Sequence, residues 1–104
     1  MKSIAEISED IEDELEDACK YIDKALNYKE SDPVTADMFY QLSMEEMGHM
    51  ERLHKRVVDM ITEYRKIHGD PPPEMQWRYD YLHKKHMEKS VKIKVKQMMY
   101  KEKG

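Results

Sequence analysis

The 104-residue chain has few of the residues that cross-link a fold or interrupt its helices. Cys19 is the single cysteine, which excludes an internal disulfide framework and a Cys-x-x-Cys metal knuckle. Glycine occurs three times and proline four times, with three of the prolines consecutive at residues 71–73. Long stretches therefore carry no helix breaker, and the chain length allows one domain, residues 1–104.

Long apolar runs are also missing. The mean hydropathy is −0.96, and no uninterrupted apolar segment is long enough to cross a bilayer, so no membrane partner is expected. The first residues, 1–6, become acidic at once and lack the apolar centre of a signal peptide. Together with the scarcity of cysteine, this predicts a reducing, cytoplasmic location.

The net charge of −4 is unevenly distributed along the chain. Residues 1–30 carry ten acids and four bases, whereas residues 70–104 carry five acids and nine bases. This segregation predicts that an acidic first helix packs beside a basic last helix. Because the chain is acidic overall and carries no docking motif, no nucleic-acid partner is expected.

Two breaks divide the chain into three predicted helices, at about residues 3–28, 33–68 and 73–100. Asp32 and Pro33 suit the N-cap and first position of a helix, and Gly69 suits a C-cap before the stiff connector at residues 70–73. A short loop joins the first two helices, which predicts an antiparallel hairpin. The predicted fold class is all-α: a long hairpin plus a third long helix.

Each predicted helix has an apolar stripe at three- and four-residue intervals. The first helix carries Ile7, Ile11, Glu14, Ala18, Tyr21 or Ile22, and Ala25. The second carries Phe39, Ser43, Glu46, Met50, Leu53, Val57 and Ile61. The third carries Trp77, Tyr81, Glu88, Val91, Val95 and Met98 on one side, so it too is expected to pack against something. The partner is left open: the third helix covers the outer face of the dimer, builds a higher oligomer, meets another protein or, in a scaffold without metal, packs against its own hairpin.

Glu14 and Glu46 interrupt their stripes at positions where an apolar residue is expected. A buried carboxylate is unfavourable unless a charged or hydrogen-bonding group meets it. His49 follows Glu46 at i+3, on the same helix face. Counted from the loop, Glu14 and Glu46 lie about sixteen and about thirteen residues away, so at roughly 1.5 Å per residue they reach a similar level. Two carboxylates and one imidazole suit iron, or alternatively manganese.

One hairpin supplies half of a di-iron carboxylate site, which takes a glutamate from each of two helices and Glu-x-x-His from each of the other two. A chain with three long helices cannot supply all of these ligands. A two-fold homodimer, or a larger oligomer, can supply two copies each of Glu14, Glu46 and His49. We therefore expect two hairpins to form a four-helix bundle around the metals.

Residues 10–66 resemble the ferritin-like superfamily, specifically the short encapsulated ferritins, and are similar to rubrerythrins at the same positions. The resemblance rests on Glu14 with Tyr21 seven residues later, and on the spacing from Asp32-Pro33 to Glu46-x-x-His49. It implies a ferroxidase that oxidises Fe(II) with oxygen or peroxide, in iron handling or oxidative-stress protection. It also implies that Glu14, Glu46 and His49 are iron ligands and that Tyr21 is hydrogen-bonded near the site.

The chain also departs from that group. Its first helix or loop is about two residues longer, so an ungapped comparison would select Glu16, whose helical face disfavours it. Residues 98–104 do not resemble the apolar tail that directs such ferritins into an encapsulin-type shell. A shell partner is therefore less well supported than the di-iron centre.

Other interpretations remain open. The alternative function is a non-enzymatic helical scaffold or interaction module without metal, in which Glu14 and Glu46 are buried structural polar groups.

Glu88 is either an additional ligand or part of a salt bridge. His83 and His86 are interpreted as surface residues among lysines. The remaining histidines, His54 and His68, are expected to be exposed or at the edge of the core. The ten methionines are scattered, which favours core packing over a copper site.

Overall fold

A computed structural model describes residues 2–102 and places almost all of them in three α-helices. The helices are α1 (Lys2–Tyr28), α2 (Pro33–His68) and α3 (Pro73–Lys101), and no strand occurs within these residues. The predicted all-α class is confirmed, with each boundary within one residue of its expected position. Within the same range, no helix has both the length and the apolar character needed to cross a bilayer. The end of the C-terminal tail, residues 103–104, lies outside the described part.

The start and the end of α2 are fixed by local capping, as the sequence indicates. Asp32 accepts hydrogen bonds from the backbone N–H of Thr35 (3.2 Å) and from its hydroxyl (2.6 Å), and Pro33 occupies the first helical position. At the other end, Gly69 has a φ of 75° and donates its N–H to the carbonyl of Arg65 (2.9 Å). These caps fix the two ends of α2, and its start sets how far along the hairpin Glu46 lies.

The hairpin of α1 and α2 forms the main core through the two predicted stripes. Ile11, Ala18 and Ala25 of α1 are buried, as are Met50 and Val57 of α2. Leu15 and Met47 add to this core from the edges of the stripes. Burial of these side chains supplies most of the stabilisation, at about 25 cal/mol per Å² of apolar surface removed from water.

The third helix, α3, closes the hairpin into an elongated three-helix bundle of 55 × 17 × 17 Å. It packs mainly against α1. Lys96 of α3 pairs with Asp23 of α1 (2.8 Å), and Lys89 pairs with Glu12. These ion pairs confirm that an acidic helix lies beside a basic one. Since residue numbers rise together in them, α1 and α3 are parallel.

The apolar side of α3 does not pack against the hairpin. Trp77 and Val91 on that side are 69% and 60% exposed. The buried face instead consists mostly of residues with polar groups, namely His86, Ser90, Ile93, Gln97 and Tyr100. Hydropathy does not identify this buried face, because several of its partners on the hairpin are polar groups.

Two of these buried contacts show how the polar face is satisfied. Gln97 donates a hydrogen bond to the Ser43 hydroxyl (3.0 Å), which in turn donates to the carbonyl of Ala18 (2.7 Å). Tyr100 stacks on Tyr40 with centroids 4.8 Å apart, and its hydroxyl donates to Asp37 (2.7 Å). Such pairs are directional, so they fix both the rotation and the register of α3.

Candidate metal centre

The hairpin brings Glu14, Glu46 and His49 together. Glu14 comes from the middle of α1, while Glu46 and His49 lie one turn apart on α2. One ligand atom from each side chain lies within 4.8 Å of the other two. His49 Nδ1 is 3.4 Å from Glu14 Oε2 and 3.9 Å from Glu46 Oε1. The structure thus joins the three residues that the sequence singled out, and metal binding by them stays a prediction.

The two carboxylates are largely shielded, whereas the imidazole is open to solvent. The Glu14 and Glu46 side chains are 25% and 20% exposed, and His49 is 51% exposed. Oε2 of Glu14 is buried and forms no hydrogen bond within the described residues, because His49 Nδ1 approaches without hydrogen-bond geometry. A buried carboxylate oxygen without a partner is unfavourable, and a cation placed beside it would remove that penalty.

The pKa of Glu46 is raised. A hydrogen bond with the Glu14 carboxyl, burial and the like charge of Glu14 raise the pKa of Glu46 to about 7, and Asp17 adds to this while His49 opposes it. At neutral pH the pair therefore carries less than its full negative charge. A cation placed between the two carboxylates would favour their ionised forms.

The cluster lies on the side of the hairpin that faces away from α3. On α1, Glu12 contacts α3 through His86 and Lys89, and Glu14 lies two residues further on, roughly 200° around the helix. On α2, Tyr40 contacts α3, and His49 is nine residues away, roughly 180° around. Half-buried apolar residues flank the cluster on the same face: Ile7, Tyr21, Phe39, Leu42, Leu53 and Met60.

Tyr21 is half-buried two helical turns from Glu14. Its ring stacks on Phe39 with centroids 6.0 Å apart, and Lys20 Nζ lies over the ring at 5.1 Å from its centroid. Within the described chain no hydrogen bond joins Tyr21 to Glu14, Glu46 or His49. The hydrogen bond implied by the resemblance therefore stays a prediction for a pair of chains.

The alternative ligands lie elsewhere. Glu16 is exposed on another face of α1, and Glu88 is exposed on α3. Neither belongs to the cluster of potential ligands. His68 is exposed, as expected, and packs against Tyr64 with centroids 4.8 Å apart.

The interpretation of His83 and His86 as surface residues was wrong. His86 is buried, with Nε2 2.8 Å from Glu12 Oε2, and burial lowers its pKa although Glu12 opposes the shift. His83 is half-buried; its Nδ1 lies 3.1 Å from Nε2 of His54, and the two rings stack. The reason is the rotation of α3, which turns this pair of histidines toward the hairpin.

Sequence reasoning also missed Glu12, which joins α1 to α3 through both His86 and Lys89. Burial alone would raise its pKa, but the hydrogen bond and charge of Lys89, with the charge of His86, lower it. Glu12 is surrounded by other acids in the sequence, so its spacing does not distinguish it. The opposite charges of α1 and α3 were the only available signal.

No family model, curated protein or solved structure matches the chain. The likeness to ferritin-like proteins therefore rests on the residues named above, and the function must be argued from the geometry of the site.

Proposed function

We propose that two copies of this chain form a homodimer through the hairpin face that carries Glu14, Glu46 and His49, and that the six side chains hold two iron ions. The proposed reaction is the oxidation of Fe(II) by oxygen or peroxide. The observation that carries this proposal is a shielded pair of carboxylates that leaves one oxygen without a partner and has an imidazole within reach, and the pKa of Glu46 is raised to about 7.

The residues fit iron by the chemistry of their donor atoms. Carboxylate oxygens and imidazole nitrogen suit Fe(II), and manganese would accept the same set. The two carboxylates offset the positive charge of the ions, and Glu46 gives up its proton as a cation enters. When bound, iron supplies electrons to the oxidant, one from each ion, and solvent supplies the protons that the reduced oxidant takes up.

A second copy is required because one chain contributes only three ligands. The third helix adds none, since His83 and His86 face the hairpin on its other side and Glu88 is exposed. The hairpin face is accessible, because the cluster points away from α3, and its flanking apolar residues are only half-buried in a single chain. Two-fold association would bury them and complete the ligand set.

The test is an anaerobic Fe(II) titration followed by exposure to oxygen or to peroxide, with particle mass measured throughout. We expect two irons per dimer and Fe(II) oxidation faster than in buffer. Glu14→Ala and Glu46→Ala should abolish both. Glu16→Ala and Glu45→Ala remove exposed carboxylates from the same helices and should change neither. A wild-type chain that binds no more iron than Glu46→Ala would overturn the proposal.

The second candidate is a non-enzymatic interaction module. The specific observation in its favour is the exposed apolar side of α3, which includes Trp77 at 69% and Met98 at 69% exposure. This function predicts that the protein associates equally well with and without iron. It also predicts that Glu46→Ala leaves association unchanged.

A further inference from the structure

The exposed side of α3 follows a heptad repeat. The residues that form it alternate at four- and three-residue intervals, and we call them the outer stripe: Trp77, Tyr81, Lys84, Glu88, Val91, Val95 and Met98. All seven are exposed, the apolar ones by 49–69%. Alternating intervals of four and three are the a/d pattern of a helix that pairs with another helix. The hairpin of the same chain does not occupy this seam, because it packs against the opposite face of α3.

The two charged members of the outer stripe determine which partner fits. Lys84 and Glu88 lie at its centre, with apolar residues on both sides. In a parallel pair of identical helices, Lys84 would face Lys84 and Glu88 would face Glu88, which is repulsive at both layers. In an antiparallel pair centred on residue 86, each Lys84 faces Glu88 of the other copy. The pattern is thus self-complementary about a two-fold axis.

We propose that α3 is a second self-association surface, at which two copies pair antiparallel through the outer stripe with the two-fold axis at residue 86. In this register two reciprocal Lys84–Glu88 ion pairs form at the centre. Tyr81 then meets Val91 of the other copy, and Trp77 meets its Val95. The apolar layers supply the affinity, while the central ion pairs select register and direction.

Charges beside the stripe shape this pairing. On one flank, Asp80 of each copy lies near the level of Lys94 of the other, which favours association. The opposite flank carries Arg78, Lys85 and Lys92 in both copies, and this positive charge opposes it. The apolar layers must therefore offset that repulsion. Because part of their contribution is cancelled in this way, a change in the central ion pairs should have a large effect on the dissociation constant.

This surface is independent of the metal proposal. The outer stripe lies on α3, whereas Glu14, Glu46 and His49 lie on the hairpin face that points away from α3. A chain with two different two-fold surfaces forms assemblies larger than a dimer. Loss of either surface leaves the other intact, so the two proposals fail separately.

The first test reverses the central charges and measures association by sedimentation equilibrium in the presence of chelator. Lys84→Glu places like charges at both central layers and should raise the dissociation constant at this surface at least tenfold. The swapped variant, Lys84→Glu with Glu88→Lys, restores both ion pairs and should return to within about threefold of wild type. Lys66→Glu, an equal charge change at an exposed position of α2, is the matched control and should have no effect.

The second test uses disulfide cross-linking in a Cys19→Ser background, which reports this surface whatever the hairpin face does. In the proposed register, residue 77 of one copy meets residue 95 of the other. A chain carrying both Trp77→Cys and Val95→Cys should cross-link into dimers. The Val95→Cys chain alone should not, because its two thiols would lie about 27 Å apart along the helix at 1.5 Å per residue.

Three results would overturn the proposal: an unchanged dissociation constant in Lys84→Glu, a swapped variant no tighter than the single one, or cross-linking of Val95→Cys alone. The last would indicate parallel pairing. Flotation with anionic vesicles supplies a further check, because a stripe flanked by lysines could instead face a lipid surface. A chain that stays monomeric and floats with such vesicles would contradict self-association.

Discussion

Replacing Glu46 with glutamine should make the metal-free protein more stable at pH 8 and leave its stability almost unchanged at pH 5. The reason is the raised pKa of Glu46. In the folded chain the pKa of Glu46 is raised to about 7, by its hydrogen bond with Glu14, by burial and by the like charge. In the unfolded chain the pKa of Glu46 returns to its ordinary value of 4.5. The folded state therefore holds a proton that the unfolded state has already released between these two pH values.

The sign of the pH dependence follows from this difference. Where the folded state binds more protons, the free energy of unfolding falls as pH rises. The carboxyl pair is not destabilising below pH 4.5 and has its full unfavourable effect above about pH 7. The shift corresponds to an upper bound of about 3 kcal/mol. Because both carboxylates keep some contact with water, we expect about 1–2 kcal/mol.

The assay is urea unfolding of wild type and Glu46→Gln at several pH values between 5 and 8, with chelator present and protein concentration held constant. Glutamine keeps the shape of a protonated glutamate and can donate to Glu14, but it cannot ionise. Glu45→Gln, a neighbouring exposed position, is the control for net charge. Only the difference between variants is used, because buried histidines such as His86 titrate in the same range with the opposite sign.

A structural role for the pair predicts the reverse result. If Glu46 served mainly as an ionised partner of His49, its replacement would remove a favourable interaction and lower stability at pH 8. A Glu46→Gln protein that is less stable than wild type at pH 8 would refute the reasoning. A variant that is more stable but no longer binds iron would mark a site where stability is reduced in favour of function.

Three further predictions concern single contacts, each measured by urea unfolding. Gly48→Ala should stabilise the chain by up to about 1 kcal/mol, since a methyl group there meets nothing within 4 Å and alanine favours helix; a loss would indicate a close neighbour. Ser43→Ala should cost about 1–3 kcal/mol because the buried Gln97 amide loses its acceptor, and a neutral result would contradict this. Glu12→Gln should lower the free energy of unfolding by about 1–2 kcal/mol at pH 7, because it weakens the contact with Lys89. This difference between variant and wild type should shrink below pH 4.5, where Glu12 loses its charge. A pH-independent difference would exclude the ionic explanation.

The hairpin and the site could be predicted because the signals that determine them are local. Asp32, Pro33 and Gly69 cap α2 through bonds to residues within four positions, so sequence spacing is enough to place its ends. The levels of Glu14 and Glu46 then follow from helical rise, because the loop is too short to allow another arrangement. The carboxylates were conspicuous since they interrupt otherwise apolar stripes.

The orientation of α3 could not be predicted in the same way. Hydropathy identified its apolar side, but the helix turns that side outward and buries residues such as His86 and Gln97. Their partners, Glu12 and Ser43, are distant in sequence, and no periodicity within α3 indicates that these partners exist. Binary patterning therefore does not identify the buried face of a helix whose inward side is mostly polar.

The reversed amphipathicity of α3 has a physical consequence for the whole molecule. Hydrogen bonds such as Gln97–Ser43 specify one orientation, because each leaves a buried polar group unpaired if the helix rotates. Their net contribution to stability is small, however, compared with the burial of large apolar side chains. The apolar area that would hold α3 most firmly lies on the outside, at Trp77, Val91 and Met98. In the proposed pairing of two copies, burial of these side chains would add to the stability of α3, so assembly through α3 and the order of α3 should be coupled.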